Sequence, residues 1–103
     1  MESAMHATTC RCPLCGARLD ATTVLAACDE LIDHETGLLA GRCPFCQGLL
    51  EVRLGPDAIE LGYRRPGGFE VVSTLACPGL VIDRDSEGLT LHLSGRTLHF
   101  TAD

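Results

Sequence analysis

From Leu49 onward, apolar and polar residues alternate in short runs separated by turn-forming clusters. A period of two is the mark of half-buried strands. It predicts strands at Leu49–Leu54, Ala58–Tyr63, Phe69–Leu75, Leu80–Asp83, Leu89–Leu93 and Arg96–Thr101. The breaks are Gly55-Pro56-Asp57, Arg65-Pro66-Gly67-Gly68, Cys77-Pro78-Gly79, Asp85 to Gly88 and Ser94-Gly95. Connections this short favour sequential antiparallel pairing, a meander. The last hairpin has a definite register. A two-residue loop at Ser94-Gly95 sets Leu93 opposite Arg96, Leu91 opposite Leu98 and Leu89 opposite Phe100. Leu89, Leu91, Leu98 and Phe100 then share one face, and Thr90, His92, Thr97 and His99 share the other.

Earlier in the chain the period changes. Val24, Leu25, Cys28, Leu31 and Ile32 recur at helical spacing, which predicts a helix of roughly three turns. Thr22 or Thr23 would cap its start and Gly37 would end it. Asp29, Glu30, Asp33 and Glu35 would occupy its remaining face, as a solvated surface or as a docking surface for a basic partner. Residues 1–9, which include His6, are expected to form a flexible start.

Two Cys-x-x-Cys pairs frame that helix, Cys12-Pro13-Leu14-Cys15-Gly16 and Cys43-Pro44-Phe45-Cys46-Gln47-Gly48. A pair two residues apart wraps one side of a small cation, and a second pair completes a tetrahedron. The intervening stretch, Gly16 to Arg42, is longer than the usual ~15–20 residues and leaves room for the helix. Gly16 lets the backbone turn where a side chain would clash. Each proline fixes one φ and lowers the entropy lost on closing the turn. A redox Cys-x-x-Cys normally accompanies a βαβ pattern, which neither pair shows. Cys12, Cys15, Cys43 and Cys46 are therefore the expected metal ligands, and four thiolates would close the coordination shell that a catalytic zinc keeps open.

These segments resemble the zinc-ribbon (rubredoxin-like) class of metal-binding folds. The resemblance covers about the first half of the chain. It implies one structural zinc, in a class whose members serve transcription, RNA handling and protein assembly. The rubredoxins themselves use iron in a similar sulfur cage, so an iron electron carrier is the alternative. The chain departs from them in lacking tryptophan, in following Gly16 with Ala17-Arg18 rather than an aromatic, and in its greater length. In their order of short strands, Gly41 to Ala58, Pro66 to Leu75 and Leu98-His99-Phe100 are similar to the core of organomercurial lyases, which implies a thiol-dependent enzyme as a further alternative. No catalytic residue carries over, because Cys28 is directly followed by Asp29 and no cysteine precedes His99.

The expected architecture is thus small and mixed but mainly β: a zinc-ribbon head with an inserted helix over 10–48, and an antiparallel β segment over 49–103 packed with it as one domain. At 103 residues with four aromatics and no tryptophan, the core must rest on aliphatic side chains, and a metal staple offsets its small size. All eight basic residues are arginine and the formal net charge is −6. Loading four thiolates with a divalent cation would make it about −8. That sign disfavours general nucleic-acid binding. Arg11, Arg18 and Arg42 flank the knuckles, either to offset the anionic centre or as a local phosphate-contacting patch. No secretory signal is visible and no stretch approaches the ~20 apolar residues that span a bilayer. An odd count of seven cysteines, four in metal spacing, fits a reduced cytoplasm.

Cys10, Cys28 and Cys77 are left over. Cys28 on the apolar stripe reads as a buried, inert thiol, Cys77 as a more exposed turn residue, and Cys10 as a possible substitute for Cys12. His92 and His99 are diagonal neighbours with no carboxylate in that hairpin to complete a metal set. His34 is expected near the helix end, in a structural role. An apolar content of 46% leaves surface for a protein partner, for which a second copy of the chain is the simplest choice. These features together predict a non-enzymatic binding module or adaptor.

Overall fold

Alternating sequence becomes antiparallel sheet throughout the chain. The computed structural model describes residues 8–93 and 95–101. In chain order the elements are β1 (Thr9–Arg11), β2 (Arg18–Asp20), α1 (Ala21–Ala27), β3 (Cys28–Asp33), β4 (Leu38–Arg42), β5 (Leu49–Gly55), β6 (Ala58–Arg65), β7 (Gly68–Ala76), β8 (Val81–Arg84), β9 (Gly88–Leu93) and β10 (Arg96–Thr101). They form a β1–β2 hairpin, a five-stranded sheet in the order β3-β4-β5-β6-β7 and a three-stranded sheet in the order β10-β9-β8. The meander is real, but it divides into two sheets. The break falls at Cys77-Pro78-Gly79, where Gly79 adopts φ +83°.

All six predicted strands are present, each within two residues of its expected ends. The final hairpin has the predicted register, with Leu93 opposite Arg96, Leu91 opposite Leu98 and Leu89 opposite Phe100. Its apolar face is buried at Leu89, Leu91 and Phe100.

The helix is shorter than its periodicity predicts. It starts after Asp20, whose side chain accepts the Thr23 N–H at 2.7 Å, and it ends at Ala27. Asp20, not Thr22 or Thr23, is the cap. Cys28 to Asp33 then run as a strand against β4. The spacing of Val24, Leu25 and Cys28 holds through the helix, but Leu31 and Ile32 are half-buried from a strand. Pairing with β4 satisfies their backbone groups and overrides the local signal. A second device fixes the switch. A Cβ on Gly41 would overlap the Ala27 carbonyl oxygen, so only glycine lets β4 pass the end of α1. The acidic residues sit on an edge strand and its turn instead of a helix face. Charges there discourage edge-to-edge pairing.

Of the start expected to be flexible, residues 1–7, with His6, lie outside the described residues. Thr9 lies in β1 and pairs with Asp20.

One apolar core runs from Cys12 and Leu19 through Val24, Leu25, Leu39, Val52, Ile59, Leu61 and Leu75 to Leu89, Leu91 and Phe100. The hairpin, the helix and both sheets all contribute to it. No helix is long and apolar enough to cross a membrane among the described residues.

Candidate metal centre

The two knuckles are local copies of one another. Arg-Cys-Pro-x-Cys occurs at Arg11–Cys15 and again at Arg42–Cys46. Each copy caps a hairpin. The last paired residues are Arg11 with Arg18 in β1–β2 and Arg42 with Leu49 in β4–β5. Beyond that pair the backbone repeats bond for bond. Cys12 N–H donates to Ala17 O at 2.8 Å, as Cys43 N–H donates to Gly48 O at 2.9 Å. Gly16 N–H donates to Cys12 O at 2.9 Å, as Gln47 N–H donates to Cys43 O at 2.8 Å. Gly16 and Gln47 both take left-handed backbone, φ +79° and +64°. The conformation is easy for glycine and costs Gln47 about 1 kcal/mol.

The arginines before the knuckles belong to this repeat. Arg11 Nη1 donates to Gly16 O and Arg42 Nη1 to Gln47 O, both at 3.0 Å. Each guanidinium thus clamps its own turn. The sequence offered a signal for this contact, since an arginine directly precedes both knuckles. Spacing alone does not show that its target is a carbonyl.

Folding brings the two tips together. The Sγ atoms of Cys12, Cys15, Cys43 and Cys46 all lie within 4.8 Å of one another. Cys12 to Cys46 is 3.9 Å and Cys15 to Cys43 is 3.8 Å. A tetrahedron with the ~2.3 Å metal–sulfur bonds of zinc has edges of about 3.8 Å. Those two separations therefore already have the value that a shared cation requires. This group of four cysteines could hold a metal ion.

Backbone donors surround the sulfurs. Leu14 N–H points at Cys12 Sγ, Phe45 N–H at Cys43 Sγ and Gly48 N–H at Cys46 Sγ, each at 3.4 Å. Such bonds spread thiolate charge and orient ligands. Cys12 and Cys43 are buried, while Cys15 and Cys46 face solvent. The knuckles interlock at Gly48, where an added Cβ would strike the Leu14 side chain.

The sulfurs also interact electrostatically. Burial opposes ionisation of Cys12, but the N–H groups of Leu14 and Cys15 and the neighbouring thiols outweigh it and hold the Cys12 pKa down at about 7. At Cys15 the Ala17 N–H favours the thiolate, yet desolvation and the three other sulfurs push the pKa up to about 12. Four adjacent sulfurs cannot all carry charge unless a cation offsets it.

The remaining cysteines lie elsewhere. Cys10, opposite Leu19 in β1, is half-buried and outside the group of four, and its pKa is raised by burial and by Cys12. Cys28 is buried as expected. Its S–H donates to Val24 O at 3.3 Å, and burial followed by the charge of Asp29 pushes its pKa up to about 12. Cys77 differs from expectation. It is buried, not exposed, with its pKa raised by burial and then by Asp57. None of the seven cysteines is in a disulfide.

His92 and His99 extend from the predicted common face but have separate partners. His92 Nε2 meets Asp83 Oδ2 at 2.9 Å, and His99 Nδ1 meets Thr90 Oγ1 at 2.9 Å. The carboxylate missing from the hairpin comes from β8, a strand that the hairpin register cannot reveal. His34 sits in the β3–β4 turn, not at a helix end, and its Nε2 meets Gly88 O at 3.1 Å.

No family model matches the chain, and comparison with curated proteins and with solved structures finds no significant match.

Proposed function

We propose that the chain is a non-enzymatic zinc-ribbon module that binds another protein, with Cys12, Cys15, Cys43 and Cys46 holding one structural zinc. The observation that carries this reading is the convergence of the four sulfurs within 4.8 Å of one another, with two of their separations at 3.9 and 3.8 Å. Four thiolates leave zinc no open position for a substrate or a water. Thiol chemistry has little support at the other cysteines. Cys28 and Cys77 are buried with raised pKa values, the opposite of a reactive thiolate.

Support for a binding role comes from the knuckle tips. Leu14 and Phe45 are 57% and 66% exposed, and Leu49 beside them is 50% exposed. Large apolar side chains held outward on a rigid turn suit contact with a protein. A second copy of the chain is the first partner to test, and a reducing cytoplasm suits seven free thiols.

The test is elemental analysis and a visible spectrum of protein purified from its own cytoplasm, with sedimentation over a range of concentrations. The reading predicts one zinc per chain and a colourless solution, with a self-associating species if the partner is a second copy. Four sulfurs also suit iron. A red protein with a reversible one-electron wave would replace the structural zinc with an electron carrier.

A further inference from the structure

The five-stranded sheet has a second face, turned away from the core that Leu39, Val52 and Leu61 fill. On it, Leu38 pairs with Arg53, Arg53 with Glu60, and Phe69 with Arg64. Phe69 fits there because Gly62 beneath it has no side chain, where a Cβ would come within 2.9 Å of the ring. With Arg65 from the end of β6, these residues line a cleft of about 430 Å³ whose walls include Leu38, Arg53, Arg64, Arg65 and Phe69, with Asp33 at one side. That volume lies within the ordinary range of small-molecule sites, about 300–1,000 Å³.

The three guanidinium groups are held in a common way. Arg53 Nε and Nη2 bind Glu60 Oε1, both at 2.8 Å. Arg64 Nε and Nη2 bind the buried carboxylate of Glu51 at 2.9 and 2.7 Å. Arg65 Nε binds Glu70 Oε1 at 2.8 Å. In each case a glutamate braces the Nε side. Among the described residues no acceptor engages Nη1 of any of the three. Arg53 also lies over the Phe69 ring, 5.1 Å from its centroid. The cleft therefore holds three oriented arginines, each with unused donors, around an apolar wall. Arg64 satisfies the buried carboxylate of Glu51 and so has a structural role. The Arg53–Glu60 and Arg65–Glu70 pairs are half-exposed or exposed and contribute little to stability, so folding alone does not account for Arg53 and Arg65 here.

We propose that this cleft binds a small organic oxyanion with a flat apolar body, an aryl phosphate or an aryl carboxylate. Arginine donors match the planar or tetrahedral oxygens of either group, while Leu38 and Phe69 take the apolar part. The glutamates balance the arginine charges, so selectivity comes from aimed N–H groups more than from net field. Asp33 is partly occupied, because its Oδ1 accepts the Glu35 N–H at 3.0 Å. It would repel an anion placed at its end of the cleft and so sets the ligand's direction, with the oxyanion toward Arg53 and Arg65. The site uses no residue of the cysteine centre and goes beyond the metal reading, which can fail without it.

The test is NMR of the zinc-loaded chain, following the guanidinium N–H signals and the Phe69 ring during titration with phenyl phosphate, benzoate, inorganic phosphate and benzyl alcohol. Expected is saturable shifting of the Arg53, Arg64, Arg65 and Phe69 signals by at least one arene anion, with inorganic phosphate about tenfold weaker and benzyl alcohol silent. The tighter of phenyl phosphate and benzoate names the oxyanion. Arg65→Gln, at an exposed position that leaves the fold intact, should weaken binding about tenfold, the value of one charge-assisted hydrogen bond. Phe69→Leu should bring the arene anion and inorganic phosphate closer together in affinity. The proposal is overturned if neither arene anion saturates by about 10 mM, beyond the millimolar range of weak specific sites, if inorganic phosphate binds as tightly as both, or if Arg65→Gln binds unchanged.

Discussion

Replacing Gly41 with alanine should be among the most damaging single-methyl changes at the described residues. Gly41 sits opposite Cys28 where β4 crosses the end of α1. An added Cβ would overlap the Ala27 carbonyl oxygen and lie 2.5 Å from Cys28 Cα, about 0.9 Å short of the 3.4 Å at which ordinary contact begins. Both obstacles are backbone, so no rotamer change relieves them. The strand must move away from the helix end, and the pairing of β3 with β4 opens with it. Overpacking of this kind costs about 3 kcal/mol, against a total of about 5–15 kcal/mol for a domain. The alanine gives back under 1 kcal/mol by restricting the unfolded chain. With a urea dependence of about 1.5 kcal/mol per molar, the net loss should lower the unfolding midpoint by roughly 1.5 M. Gly67→Ala is the control, because nothing lies within 4 Å of its added Cβ, and it should unfold at or slightly above the parent midpoint. Both measurements need one fixed free-metal concentration, because a metal held by the four cysteines would add stability by mass action. Equal midpoints for Gly41→Ala and Gly67→Ala would refute the close passage of β4 past α1.

Asp20→Ala removes the side-chain cap of α1 and should cost about 1 kcal/mol at pH 7. The Thr23 N–H holds the Asp20 pKa below its usual 3.8, so the cap's contribution is complete above that value and vanishes as pH falls through the lowered one. The gap between parent and variant should accordingly close in acid, and a gap that widened instead would contradict the cap. In the native, metal-loaded protein Cys28 should resist iodoacetamide at pH 8, because burial and a pKa of about 12 withhold its thiolate. Peptide mapping showing Cys28 alkylated as fast as a free thiol would place it on the surface.

The cysteine centre was legible because its information is local. Two residues between cysteines, a proline and a left-handed turn position define each knuckle before any tertiary contact forms. The β9–β10 hairpin was legible for a related reason, since strict alternation and loop length give one register. Leu31 and Ile32 were not, because their spacing satisfies a helix and a strand alike, and the choice falls to β4 across the sheet. The strand Leu38–Arg42 lacks alternation, being buried at Leu38, Leu39, Ala40 and Gly41, and so gave no period-two signal. The division into two sheets at Cys77-Pro78-Gly79 is a matter of which strands meet, which turn residues do not specify. The burial of Cys77 follows from that division. The guanidinium clamps at Arg11 and Arg42 depend on side-chain reach across a turn, although the repeated arginine marked their positions.

In the proposed zinc-ribbon reading, one cation draws Cys12, Cys15, Cys43 and Cys46 into a single tetrahedron. Zinc-edge X-ray absorption of the stoichiometrically loaded protein measures that shell directly. It should show four sulfur neighbours at about 2.3 Å and no nitrogen or oxygen. A shell with fewer than four sulfurs, or an unchanged spectrum after Cys43→Ser and Cys46→Ser are combined, would contradict it.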